Sequence, residues 1–128
     1  MTFYLDSSVA LRAVLDVPER PRVRRWVDDR AGRLVSSRLL RTEIVRVLRR
    51  EKLPVALAGP LLSRVGLVSL SDEVASVAES IERHVKALDA LHLATAIVIG
   101  EPVVVVTHDA TMATVAGHLG LDVEDPVV

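Results

Sequence analysis

Residues 103–106 read Val-Val-Val-Val, an unbroken β-branched run with no polar member. Side chains alternate between the two faces of a strand, so this run has no face suited to water. It fits a strand covered on both sides, the usual setting of a parallel sheet between layers of helices. Residues 2–5, Thr-Phe-Tyr-Leu, carry a similar signal at the N-terminus. Each run then delivers a carboxylate. Asp6 follows Leu5 directly, and Asp109 follows Val106 after Thr107 and His108.

Shorter strand signals lie at 33–36, 66–70 and 121–123, bounded by Gly, Pro or polar residues. Helical spacing separates them. Val23, Trp26 and Val27 mark one helix, with Pro18 or Pro21 near its start. Leu39, Leu40, Ile44, Val47 and Leu48 form one stripe over 38–51. Pro54 opens a further helix that Gly59-Pro60 should break or kink. Ser71 is placed to cap a helix over 72–84 with Val74, Val77, Ala78 and Ile81 inward, residues 86–99 are apolar nearly all round, and a short helix covers 110–118. Strands alternating with helices imply an α/β fold, a three-layer α/β/α sandwich around a mostly parallel sheet. No repeat, low-complexity stretch or linker interrupts residues 1–128, which read as a single domain.

Composition limits the chemistry. There is no cysteine, which removes disulfides and thiolate metal sites. Phe3, Tyr4 and Trp26 are the only aromatic residues, so the core must be aliphatic and base stacking has little to draw on. No apolar run approaches the ~18 residues of a bilayer span, and no secretory signal opens the chain. A soluble cytoplasmic domain with no membrane partner is therefore expected. Charge is unevenly distributed: residues 12–50 hold twelve Arg against five acids, whereas 51–128 hold four Lys or Arg against eleven acids. The basic half is either a set of solvated, partly paired helix faces or a surface for an anionic partner such as a phosphate backbone.

In open parallel sheets, ligands bind beyond the carboxyl ends of the strands, where strand order reverses. Asp6 and Asp109 both occupy such ends, although either one suits a helix N-cap equally well. Glu43 is harder to explain as structure, because it lies four residues after Leu39 and four before Val47, on the apolar side of its helix. Asp89 opens the most apolar helix, where it also complements the positive helix end. If all four carboxylates converge, a pair ~5 Å apart repels by about 3 kcal/mol at an effective dielectric near 20. Such a cluster takes up protons or binds a cation. All-oxygen ligation suits Mg²⁺ or Mn²⁺, and the four histidines show no paired zinc spacing. His92 reads as a core or supporting histidine rather than a ligand, and His108 faces either substrate or solvent. Ser7, Ser8 and Thr107 are placed to cap a helix or hydrogen-bond a ligand, water or phosphate. No phosphate-binding glycine loop and no nucleophile elbow is present.

"YLDSS" at Asp6, "SSRLLRTEIVRVL" around Glu43, "LDALHLATA" at Asp89 and "VVVTHDATM" at Asp109 together resemble the PIN-domain family, most closely the VapC toxins of bacterial toxin–antitoxin pairs. The resemblance covers essentially the whole chain. It implies strand order 3-2-1-4-5, with Asp6 and Asp109 ending adjacent strands. It also implies that Asp6, Glu43, Asp89 and Asp109 are the catalytic and metal-binding set, with Ser7 and Thr107 in support. The implied activity is Mg²⁺- or Mn²⁺-dependent endoribonuclease cleavage by a metal-activated water. The implied partners are an RNA substrate, a VapB-like antitoxin and a second copy of the chain in a homodimer. One departure is that Ala110, Thr111, Met112 and Ala113 follow Asp109, where many relatives carry another acid. The alternatives are a catalytically silent RNA- or protein-binding module of the same fold, a DNA nuclease, and an aspartyl phosphotransferase. The last is disfavoured because Ser8 stands where its second acid is wanted.

Overall fold

In the computed structural model, which describes residues 1–128, five strands form one sheet: β1 (Thr2–Leu5), β2 (Leu34–Ser37), β3 (Gly66–Val68), β4 (Val103–Val106) and β5 (Asp122–Glu124). All neighbours are parallel, in the order β3-β2-β1-β4-β5. The expected order and fold class are both observed, and the sheet is wholly rather than mostly parallel. β1 and β4 are the adjacent central pair, with Thr2 opposite Val103 and Leu5 opposite Val106. Strand order reverses between them.

Helices α1 (Ser7–Val14), α2 (Arg20–Asp29), α3 (Arg38–Arg50) and α4 (Gly59–Leu62) precede α5 (Asp72–Ser80), α6 (Ala87–Val98) and α7 (Ala110–His118). Alternation along the strands sorts the core into two layers. Phe3, Leu5, Leu34 and Val106 pack with Val9, Val23, Leu40, Ile44 and Leu48 from α1, α2 and α3. Tyr4, Val103 and Val105 face the other way, against Leu93 and Ala96 of α6 and Met112 and Val115 of α7. None of the helices is long and apolar enough to cross a membrane.

Local signals explain most boundaries. The Ser37 hydroxyl accepts from the Leu39 N–H and starts α3, and Ser71 does the same for α5 through Val74. Gly100, at φ +76°, turns the chain out of α6 into β4, a conformation that favours glycine. Two expectations change. The helix expected over 72–84 stops at Ser80, where the backbone of Ile81 turns extended, and Ile81 and Val85 pack on the second core layer from the segment that follows. The helix expected from Pro54 is a short 3-10 turn, Val55–Ala58, followed by the single turn α4, whose first turn takes Pro60 because an N–H there has no helical partner to lose. Leu88 and Ile97 of α6 are exposed, so that helix is not buried all round.

Leu48 is fully buried in the first core layer. Leu48→Ala is expected to destabilise the protein by about 2–5 kcal/mol in urea denaturation, the range for a truncated core leucine.

Candidate functional site

Parallel pairing brings Asp6 level with Thr107. The Asp6 N–H donates to the Val106 carbonyl at 3.0 Å, continuing the β1–β4 ladder by one residue. Asp6 is 3% exposed. It occupies the N-cap position of α1, yet its side chain does not cap that helix. Instead Oδ2 accepts from Ser8 Oγ at 2.7 Å and from Thr107 Oγ1 at 2.8 Å. Ser8 Oγ in turn accepts from the His108 N–H at 2.9 Å, and Thr107 Oγ1 from the Asp109 N–H at 3.1 Å. Asp6 Oδ1 is buried with no hydrogen-bond partner. A buried, unpartnered carboxylate oxygen is costly and rare.

Asp109 does cap its helix: Oδ1 accepts from the Met112 N–H at 2.8 Å. The capping reading therefore holds for Asp109 and fails for Asp6. Glu43 is half-buried on the flank of the α3 apolar face. Its Oε1 lies 2.5 Å from Nε2 of the fully buried His92, and its Oε2 accepts from Ser7 Oγ at 3.4 Å. His92 Nδ1 lies 2.7 Å from the Tyr4 hydroxyl. Burial pushes the Tyr4 phenol far above its ordinary range, so it remains a proton donor. The two ring nitrogens of His92 thus meet Glu43 on one side and the Tyr4 hydroxyl on the other.

Asp89, in the first turn of α6, faces the other three. Its pKa is raised above the ordinary 3.8, first by burial, then by the negative charges of Asp6 and Asp109, with Glu43 adding and His92 opposing. All four expected carboxylates thus share one electrostatic neighbourhood. They do not close into a ready cage of three or more ligands: the cap on Asp109 and the His92 bond to Glu43 commit an oxygen of each. No Lys or Arg pairs with any of the four, and His92 is the only basic side chain in contact with Glu43.

This donor set fits a hard divalent cation. It is entirely oxygen, no protein cation neutralises it, and Asp6 Oδ1 lacks any other partner. Mg²⁺ keeps several waters and needs only one or two direct carboxylates, so a closed protein cage is not required.

Sequence reasoning placed the four acids, Ser7 and Thr107 here, but understated Ser8, which bonds Asp6 more closely than Ser7 bonds Glu43. It also missed the Tyr4–His92–Glu43 chain, although His92, three residues beyond Asp89, follows it on the same side of the helix. His108 is tethered by Nδ1 to Asp125 Oδ2 at 2.8 Å, a link between distant positions without a local signal. The basic half is partly consumed internally. Arg12, Arg20 and Arg30 pair with Glu19, Asp16 and Glu124, and Arg22 and Arg24 donate to the backbone carbonyls of Val127 and Ala13.

Comparison with known proteins gives a consistent picture. The family model described as PIN domain matches residues 3–118. Ribonuclease VapC46 of Mycobacterium tuberculosis is 33% identical over 126 residues, 96% of each chain. The crystal structure of VapBC2 from Rickettsia felis, bound to a DNA fragment from their promoter, contains a chain similar in fold at TM-score 0.77 and 14% identity, with 98% of both chains covered. VapC20 of Mycobacterium tuberculosis, a sarcin-ricin loop cleaving toxin, matches at TM-score 0.72 and 16% identity over 88% of this chain and 94% of its own.

The crowding at Asp89 has a consequence for stability. Its pKa is higher in the folded than in the unfolded chain, so its ionisation costs nothing below the unfolded value near 3.8. The cost appears as pH rises through the two values and is complete above the folded one. In EDTA at pH 7, Asp89→Asn is expected to melt at a higher temperature than wild type, with the difference shrinking towards pH 4.

Proposed function

The chain belongs to the PIN-domain family, and we propose that it is a divalent-metal-dependent endoribonuclease, the toxin of a VapC-type toxin–antitoxin pair. The similarity to a ribonuclease over nearly the whole length of both chains supports the activity. The observation that carries the metal dependence is the buried Asp6 Oδ1, without a hydrogen bond, among carboxylates that no Lys or Arg neutralises.

Asp6, Glu43, Asp89 and Asp109 would hold the ion, Mg²⁺ or Mn²⁺. When bound, the ion polarises the scissile phosphate and makes an attacking water easier to deprotonate. The remaining work falls to the protein. Ser8 and Thr107 grip Oδ2 of Asp6 and leave Oδ1 as its free oxygen. His92, backed by Tyr4, fixes the Glu43 carboxylate, and Ser7 touches its other oxygen. The carboxylates repel a second anion until the cation is present, which makes seating of the scissile phosphate, though not of backbone beside it, conditional on the metal. Attack by water leaves a 5′-phosphate and a 3′-hydroxyl and does not use the RNA 2′-hydroxyl.

The partners of this reading are an RNA substrate, a VapB-like antitoxin and a second copy of the chain. The fold likeness to a chain of the VapBC2 structure supports the antitoxin.

Purified, antitoxin-free protein is expected to cut a total bacterial RNA pool with Mg²⁺ or Mn²⁺, and to stop cutting in EDTA. Asp6→Asn, prepared in parallel, is expected to lose the activity by at least two orders of magnitude, the scale of removing a group that organises the reacting charge. Equal cutting by wild type and Asp6→Asn, or cutting that survives EDTA, would overturn the reading.

A further inference from the structure

An open depression of about 400 Å³ lies between α7 and the extended segment that joins α5 to α6. Thr111, Thr114 and His118, spaced three and four residues apart, place one face of α7 along it. Arg83 and His84 line it from the extended segment. Both walls are near the carboxylates along the chain: Thr111 is two residues beyond Asp109, and His84 is five residues before Asp89.

The chemistry of the lining is unlike its surroundings. Residues 51–128 hold eleven acids against four Lys or Arg, yet no acid lines this depression. Arg12, Arg20 and Arg30 are held by carboxylates, whereas Arg83 forms no ion pair. His84, Thr111, Thr114 and His118 are exposed, and none makes a side-chain hydrogen bond within the chain. A guanidinium, two imidazoles and two hydroxyls all present N–H or O–H donors, the imidazoles in either protonation state. That set matches the oxygens of an anion, and on the ribonuclease reading the anion at hand is the phosphate backbone of RNA.

We propose that this depression is a phosphate subsite that holds the RNA backbone immediately beside the phosphate cleaved at Asp6, Glu43, Asp89 and Asp109. The proposal rests on the ribonuclease reading above and extends it. Thr111 to His118 spans about 10 Å of helix, more than the ~3.4 Å that one nucleotide occupies along a stacked strand. The subsite therefore accommodates backbone beyond a single phosphate. Hydrogen bonds of this kind position a strand without reading its bases, so the subsite sets affinity and register, not the target sequence.

The test compares wild type, Arg83→Gln/His118→Gln and Arg49→Gln, all antitoxin-free. Arg49 is exposed at the far end of α3, more than 15 Å along that helix from its start beside the sheet's carboxyl edge. Cleavage of the RNA pool with Mg²⁺ gives kcat and KM, and fluorescence anisotropy with a labelled single-stranded RNA pool in EDTA gives the salt dependence of binding. Melting temperatures verify that each variant is folded. The double variant is expected to raise KM on the order of tenfold with kcat within about twofold of wild type. Its log–log salt slope is expected to be shallower by about 0.7 for each phosphate that the variant no longer neutralises. Arg49→Gln is expected to match wild type in both. The subsite is overturned if wild type cuts RNA and the double variant keeps its KM and salt slope, if kcat falls without KM, or if Arg49→Gln shifts binding equally. Wild type that neither binds nor cuts RNA overturns the ribonuclease reading, and the subsite falls with it.

Discussion

Parallel pairing of β1 with β4 is the constraint from which the candidate site follows. Leu5 opposite Val106 leaves Asp6 and Thr107 level at the carboxyl edge of the sheet. The chain then departs into α1 on one face and α7 on the other, at the point where strand order reverses. A carboxylate at that position is buried by the strands that carry it. Two hydroxyls, from Ser8 and Thr107, satisfy one of its oxygens and leave the other without a partner. The arrangement sacrifices some stability of the metal-free protein for a fixed, unpartnered oxygen at the site.

The Tyr4–His92–Glu43 chain ties the two helical layers together. Tyr4 projects from β1 into the layer formed by α6 and α7, while Glu43 belongs to α3 in the opposite layer. His92 joins them through both ring nitrogens. Its burial keeps water from competing for these bonds, so the orientation of Glu43 is coupled to the packing of the core. A half-buried glutamate on an apolar flank has in this way a definite structural partner as well as a place in the acidic cluster.

Most of the architecture was legible because it rests on local patterns: β-branched runs for β1 and β4, Ser71 as a cap, and an apolar stripe in α3. The four carboxylates were legible for a related reason, since acids at strand ends or on apolar helix faces stand out against those patterns. What escaped depends on interactions between distant positions. Beyond the end of α5, Ile81 and Val85 pack on a core built from α6 and α7. Nothing near His92 announces that its two nitrogens meet Tyr4 and Glu43. Asp6 and Asp109 look alike in sequence, both ahead of a helix, and only their neighbours make one a cap and the other not. The arginine surplus of residues 12–50 was visible, but not that several of those side chains are held by Glu19, Asp16, Glu124 and backbone carbonyls.

The central claim is that the unpartnered Asp6 oxygen exists to hold a divalent cation shared with the other carboxylates. Anomalous diffraction at the manganese edge, from crystals of the antitoxin-free protein grown with Mn²⁺, tests it most directly. The account predicts an anomalous peak within ligating distance of Asp6 Oδ1 and of at least one among Glu43, Asp89 and Asp109. A fully occupied manganese elsewhere in the crystal, with Asp6 Oδ1 still free of any metal, would contradict it.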